Sequence, residues 1–120
     1  MAKVLIAEDE AFTAMTLVDV LADRGHSVKD AADGAAALAI LENFSPCVLV
    51  TDLMMPNVDG AALIRQIRAR GNRSISIVLI TGVPEAKLPE DLDYDAYLGK
   101  PVDHEVLGRL IEGFDSDCRC

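Results

Sequence analysis

An α/β fold with a doubly wound, five-stranded parallel sheet is what this 120-residue chain predicts. Three observations lead there. Short apolar runs alternate with amphipathic stretches along the whole chain. The runs "KVLIA" (3–7), "CVLV" (47–50) and "SIVLI" (76–80) are apolar throughout, as strands covered on both faces should be. The strands also end on chemically notable residues, and a parallel sheet binds ligands outside the carboxyl ends of its strands.

Each element has its own justification. The run "CVLV" continues into "TDLMMPNVDG", so an apolar strand finishes on an acid, Asp52. "HSVKDA" (26–31) is a more polar strand suited to a sheet edge, and "AYL" (96–98) is the fifth strand. Ala14, Leu17, Val18 and Leu21 recur at helical spacing, and Gly25 ends that helix. Asp33 is the expected N-cap of a second helix through "AAALAILE". "GAALIRQIRAR" (60–70) forms a third, closed by Gly71. A last helix starts after Pro101, capped by Asp103, and buries Leu107, Leu110, Ile111 and Phe114. Helices between consecutive parallel strands imply right-handed crossovers.

The segment "GVPEAKLPEDLDYDA" (82–96) breaks the pattern. Two prolines leave no room for a long amphipathic helix, so a short turn or irregular loop is expected there.

Composition narrows the function. One domain fits this length, assigned to residues 1–114 with 115–120 as a flexible tail. A formal net charge of −9 argues against neutralising nucleic-acid phosphates or docking on anionic membranes. No apolar run approaches the roughly 20 residues of a spanning helix, and the N-terminus lacks a secretory signal, so a cytoplasmic location is expected. Three cysteines do not make a disulfide framework. Cys47 is read as a small core residue, and Cys118 and Cys120 as part of a frayed tail with too few partners for zinc.

The strand ends are the chemical centre. Strand one runs into Glu8-Asp9-Glu10, strand three into Asp52, strand four into Thr81 and strand five into Lys100. If strands one and three are neighbours, three carboxylates meet. Two unit charges about 4 Å apart repel by roughly 4 kcal/mol at an effective dielectric near 20. Such a cluster therefore needs a shared proton, the Lys100 ammonium or a hard divalent cation, and oxygen-only ligands suit Mg²⁺.

Taken together, "VLIAED", "TDLMMPNVDG", "LITG" and "YLGKP" resemble the receiver domain of two-component response regulators over about residues 3–114. The resemblance implies the flavodoxin-like strand order 2-1-3-4-5 and a stand-alone, single-domain type. It implies Asp52 as phosphoacceptor and Asp9, Glu8 (through water), Asp52 and the Met54 carbonyl as Mg²⁺ ligands. Thr81 and Lys100 would bind the phosphoryl group, and the Lys100–Pro101 bond would be cis. A histidine kinase or histidine phosphotransfer protein would be the donor. Met54 and Val83 would flank the water that hydrolyses the aspartyl phosphate; neither can orient it, so slow dephosphorylation is expected. Tyr97 matches the switch aromatic that moves when Thr81 is drawn to the phosphate.

One departure from the family concerns the output face, whose fourth helix is expected to be short or irregular. A changed partner surface follows, acidic through Glu90, Asp91, Asp93 and Asp95 and facing an output protein that the residues do not name. The competing functions are a degenerate receiver acting as an interaction module, disfavoured because every site residue is in place, and an FMN carrier. FMN would need hydroxyls and amides after strand one, where "AEDEAF" offers acids. An Asp-x-Asp phosphatase is ruled out by Met54.

Overall fold

The computed structural model describes residues 2–72 and 74–115. The chain runs β1 (Lys3–Ala7), α1 (Ala11–Asp23), β2 (Ser27–Ala31), α2 (Gly34–Leu41), β3 (Val48–Asp52) and α3 (Gly60–Ala69). It continues through β4 (Ser76–Thr81), a single 3₁₀ turn (Glu85–Lys87), β5 (Ala96–Gly99) and α4 (His104–Asp115). The strands pair in parallel in the order β2-β1-β3-β4-β5, as the resemblance implied. The polar strand β2 lies at one edge.

Alternating strand side chains feed two cores. Leu5, Leu49, Ile77 and Leu79 face α2 and α3 with Ala37, Leu63, Ile64 and Ile67. Val4, Ile6, Val50, Val78 and Ile80 face α1 and α4 with Leu17, Leu21, Leu107 and Ile111. Burial on both faces explains why the central strands show no polar alternation.

Acidic caps start the helices. Glu10, Asp33 and Asp59 accept backbone N–H bonds at the starts of α1, α2 and α3, and Asp103 does so for α4. Gly25 and Gly71 follow α1 and α3 at φ of +93° and +77°, the left-handed region that a glycine enters without strain. Arg24, just past α1, clamps α4: its guanidinium donates to Glu112 at 2.7 and 2.8 Å and to Glu105 at 3.3 Å.

Between β4 and β5 the only helical element is the 3₁₀ turn, in keeping with the prolines of this segment. Leu88 and Leu92 bury into the α2–α3 side of the core and take the place of a helix there. The acids of this segment are exposed, and three of them are also ion-paired to α3. Arg65 of α3 grips Asp91 through two bonds of 2.8 and 3.0 Å. Arg68 bonds Asp95 at 2.9 Å and the Asp93 carbonyl at 3.0 Å. These ion pairs staple the loop to α3 while its acids stay exposed.

Cys47 is buried, as expected, and its sulfur is disulfide-bonded. The expectations for Cys118, Cys120 and the tail over 116–120 lie outside the described residues. Among the described residues no helix is long and apolar enough to cross a membrane.

Candidate functional site

Strand register assembles the site. Ala7 pairs with Thr51, Asp52 with Ile80, and Thr81 with Gly99. The next step along β1 and β5 therefore delivers Glu8 and Lys100 to the rim already occupied by Asp52 and Thr81. Backbone bonds hold both departures, from Glu8 N–H to the Ala31 carbonyl at 3.0 Å and from Lys100 N–H to the Thr81 carbonyl at 2.9 Å. The Lys100–Pro101 bond is cis.

The three predicted acids do converge. Glu8, Asp9 and Asp52 each place a carboxylate oxygen within 4.8 Å of the others. Glu8 and Asp52 are buried, whereas Asp9 is exposed. Lys100 Nζ donates to Asp52 Oδ2 at 2.7 Å and to Glu8 Oε1 at 2.8 Å. Glu8 Oε2 accepts the Glu10 N–H at 3.1 Å.

Burial pushes the Glu8 carboxyl above its usual range, and the neighbouring Asp52 charge adds to the rise against the opposing bonds from Lys100 and Glu10. Burial alone would lower the Lys100 ammonium; its bonds to Asp52 and Glu8 outweigh that and raise it, so the lysine stays charged. With three carboxylates and one ammonium, the formal charge is two negative units. Oxygen-only donors, convergence and two uncompensated charges fit a hard divalent cation.

The remaining predicted residues cluster beside this group. Thr81 is 1% exposed, and its hydroxyl accepts the Val83 N–H at 3.1 Å, leaving its own hydrogen to donate. Tyr97 is half-buried and donates from its hydroxyl to the Val83 carbonyl at 2.6 Å. Val83 packs against the α2–α3 core. The Met54 side chain is 67% exposed, and its N–H points at Asp52 Oδ1 from 3.4 Å.

Two contributions escaped the sequence reading. Glu10 had no role assigned, and its carboxylate caps α1 through the Phe12 and Thr13 amides. Glutamate lies outside the Ser/Thr/Asp/Asn set that marks an N-cap, so no sequence signal gave this role. Asn57 was not singled out; its amide donates to Asp33 at 2.6 Å, a contact between elements that no local pattern encodes.

Similarity to known proteins agrees with this geometry. The response regulator receiver domain family matches residues 4–112. The sensor kinase CckA of Brucella abortus (strain 2308) is 36% identical over 116 residues, 92% of this chain and 12% of that protein. The response regulator MprA of Mycobacterium sp. (strain KMS) is 34% identical over 112 residues, 90% of this chain and 48% of that protein. The chain thus spans about half or less of the length of these relatives. Vibrio cholerae chemotaxis protein CheY4 superposes with a TM-score of 0.85 at 28% identity, covering 95% of this chain and 98% of that one. The receiver domain of a Syntrophus aciditrophicus histidine kinase gives 0.88 at 25%, covering 99% and 93%. With the strand order, the acid cluster and the sequence match in agreement, the chain belongs to the response regulator receiver domain family.

Proposed function

We propose that Asp52 is the phosphoacceptor of this receiver and that Glu8, Asp9, Asp52 and the Met54 carbonyl hold Mg²⁺. The observation that carries the reading is Lys100 bonded to Asp52 and Glu8 at the centre of three converging carboxylates. Bound Mg²⁺ would supply the charge neutralisation that lets an anionic phosphoryl group approach this acidic rim.

In the transfer step a carboxylate oxygen of Asp52 attacks the phosphorus of a phosphohistidine on a histidine kinase or phosphotransfer protein. An O–P bond forms, the N–P bond breaks, and its electron pair leaves with the imidazole, which takes up a proton. Lys100 pairs with a phosphoryl oxygen and holds the acceptor in place. Thr81, whose hydrogen is uncommitted, donates to a second oxygen.

The mixed anhydride then hydrolyses slowly. An exposed methionine at 54 and an apolar valine at 83 support this, since neither orients water. Recruitment of the Thr81 hydroxyl by the phosphate would disturb the Val83 backbone, which it shares with Tyr97, and Tyr97 would carry the change toward an output protein.

The test is incubation with acetyl phosphate and Mg²⁺ followed by intact mass, on the wild type and Asp52→Asn. A gain of one phosphoryl group in the wild type alone is the expected result; equal labelling of both contradicts it.

A further inference from the structure

We propose that Asp33 and Asn57 form a latch that positions the loop after Asp52, and with it the Met54 backbone, for divalent-cation binding. This rests on the site reading above and adds two residues that touch none of its acids. The loop over 53–59 leaves β3 at the acceptor and must double back into α3. Its base is closed by Gly60, whose N–H donates to the Leu53 carbonyl at 2.9 Å. A Cβ at Gly60 would lie 2.0 Å from the Asp52 carbonyl oxygen, so the start of α3 rests directly on the acceptor's backbone.

The far side of the loop is held by the N-terminus of α2. Asp33 divides its carboxylate: Oδ1 caps the helix through the Ala36 N–H at 2.8 Å, and Oδ2 accepts the Asn57 side-chain amide at 2.6 Å. One residue on, the Gly34 N–H donates to the Val58 carbonyl at 2.9 Å. Gly34 permits that approach because a Cβ would lie 2.3 Å from the same oxygen.

Asn57 makes its contact from φ of +64°, a conformation that costs non-glycine residues energy and that asparagine tolerates better than most. An exposed hydrogen bond contributes little to global stability, so its use here is local. With base and far side both fixed, residues 54–56 have little freedom to swing away from Asp52. Asp33 and Asn57 are thus positioning residues acting through the loop.

The test is a calorimetric Mg²⁺ titration of the full chain with separating variants. Asn57→Gly keeps the positive φ and removes the amide. Asp33→Ser keeps a capping oxygen for α2 and removes the second acceptor. Each should weaken Mg²⁺ binding by about 10-fold, the lower end of what supporting partners of metal ligands contribute. The double variant should be no weaker than the weaker single one, since both break one contact. In the metal-free protein both single variants should move the Met54 amide resonance in the same direction. Binding within twofold of wild type in either single variant, or losses that multiply in the double, overturns the latch. Asp9→Asn separates the two levels. If wild type binds and Asp9→Asn does not, the site stands and the Asn57 and Asp33 variants judge the latch alone. If wild type takes up no Mg²⁺, the site reading fails and the latch with it.

Discussion

Lys100 Nζ lies 2.7 Å from Asp52 Oδ2, and the same ammonium reaches Glu8 at 2.8 Å. Glu8 and Asp52 are buried, so without this cation two carboxylates would face each other in a weakly screened site. One lysine side chain, still 30% exposed, bridges both carboxylates and offsets one of their two charges.

Removing that cation should expose the repulsion. Lys100→Ala is expected to destabilise the metal-free domain by about 1–3 kcal/mol, the range for a buried charged group that loses its partner. Mg²⁺ should then raise the melting temperature of the variant more than that of wild type, because a ligand for the folded state offsets the lost cation. Thermal unfolding with and without Mg²⁺ reads this directly. An equal Mg²⁺ shift in both proteins would count against the shared-charge account.

Acid should loosen the opposite face. Bonds from Arg24 hold the Glu112 carboxyl down to about 2, below its ordinary 4.5, against the opposing effect of desolvation. A lowered folded value means stability that is full above pH 4.5 and is lost as pH falls from there toward 2. Glu112→Gln should therefore melt a few degrees below wild type at pH 7, with the gap closing across that window. A gap independent of pH would place the effect elsewhere than in the ion pair.

The two arginines of α3 should differ in importance. Arg68 is nearly buried and serves the carbonyls of Asp93, Asn72 and Ile75 as well as the Asp95 carboxylate. Arg65 forms one exposed pair with Asp91. Arg68→Ala should cost about 2–4 kcal/mol by leaving several acceptors unmet, while Arg65→Ala should cost about 0–1 kcal/mol. Hydrogen exchange should show amides in 83–95 losing protection in the first variant and not in the second.

Backbone contact between Gly60 and Asp52 leaves no room for a side chain. Gly60→Ala would set a methyl 2.0 Å from the Asp52 carbonyl oxygen. The start of α3 or the end of β3 must shift, costing about 1–3 kcal/mol or more. Chemical denaturation should show this loss, and Mg²⁺ affinity should fall with it, because the acceptor moves.

The elements could be read from the residues because their signals are local. Unbroken apolar runs marked strands with two covered faces, and Asp33, Asp103, Gly25 and Gly71 marked helix ends. Strand ends also named the members of the acid cluster, since parallel strands in register deliver their ends to one rim. What escaped was contact between distant elements. The pairing of the exposed Asp91 and Asp95 was hidden because nothing in their own segment shows Arg65 and Arg68 facing them from α3. Asn57 was not singled out because its partner is 24 positions away. The Cys47 disulfide was invisible because an odd cysteine count says nothing about which pair forms.

The central claim, that Asp52 accepts the phosphoryl group, is tested most directly by borohydride trapping. The reagent reduces an aspartyl phosphate to homoserine, and peptide mass spectrometry then locates the change. After treatment with acetyl phosphate and Mg²⁺, homoserine should appear at position 52, and chelating the metal should abolish it. Homoserine at another carboxylate, or labelling of position 52 that is indifferent to Mg²⁺, would contradict the account.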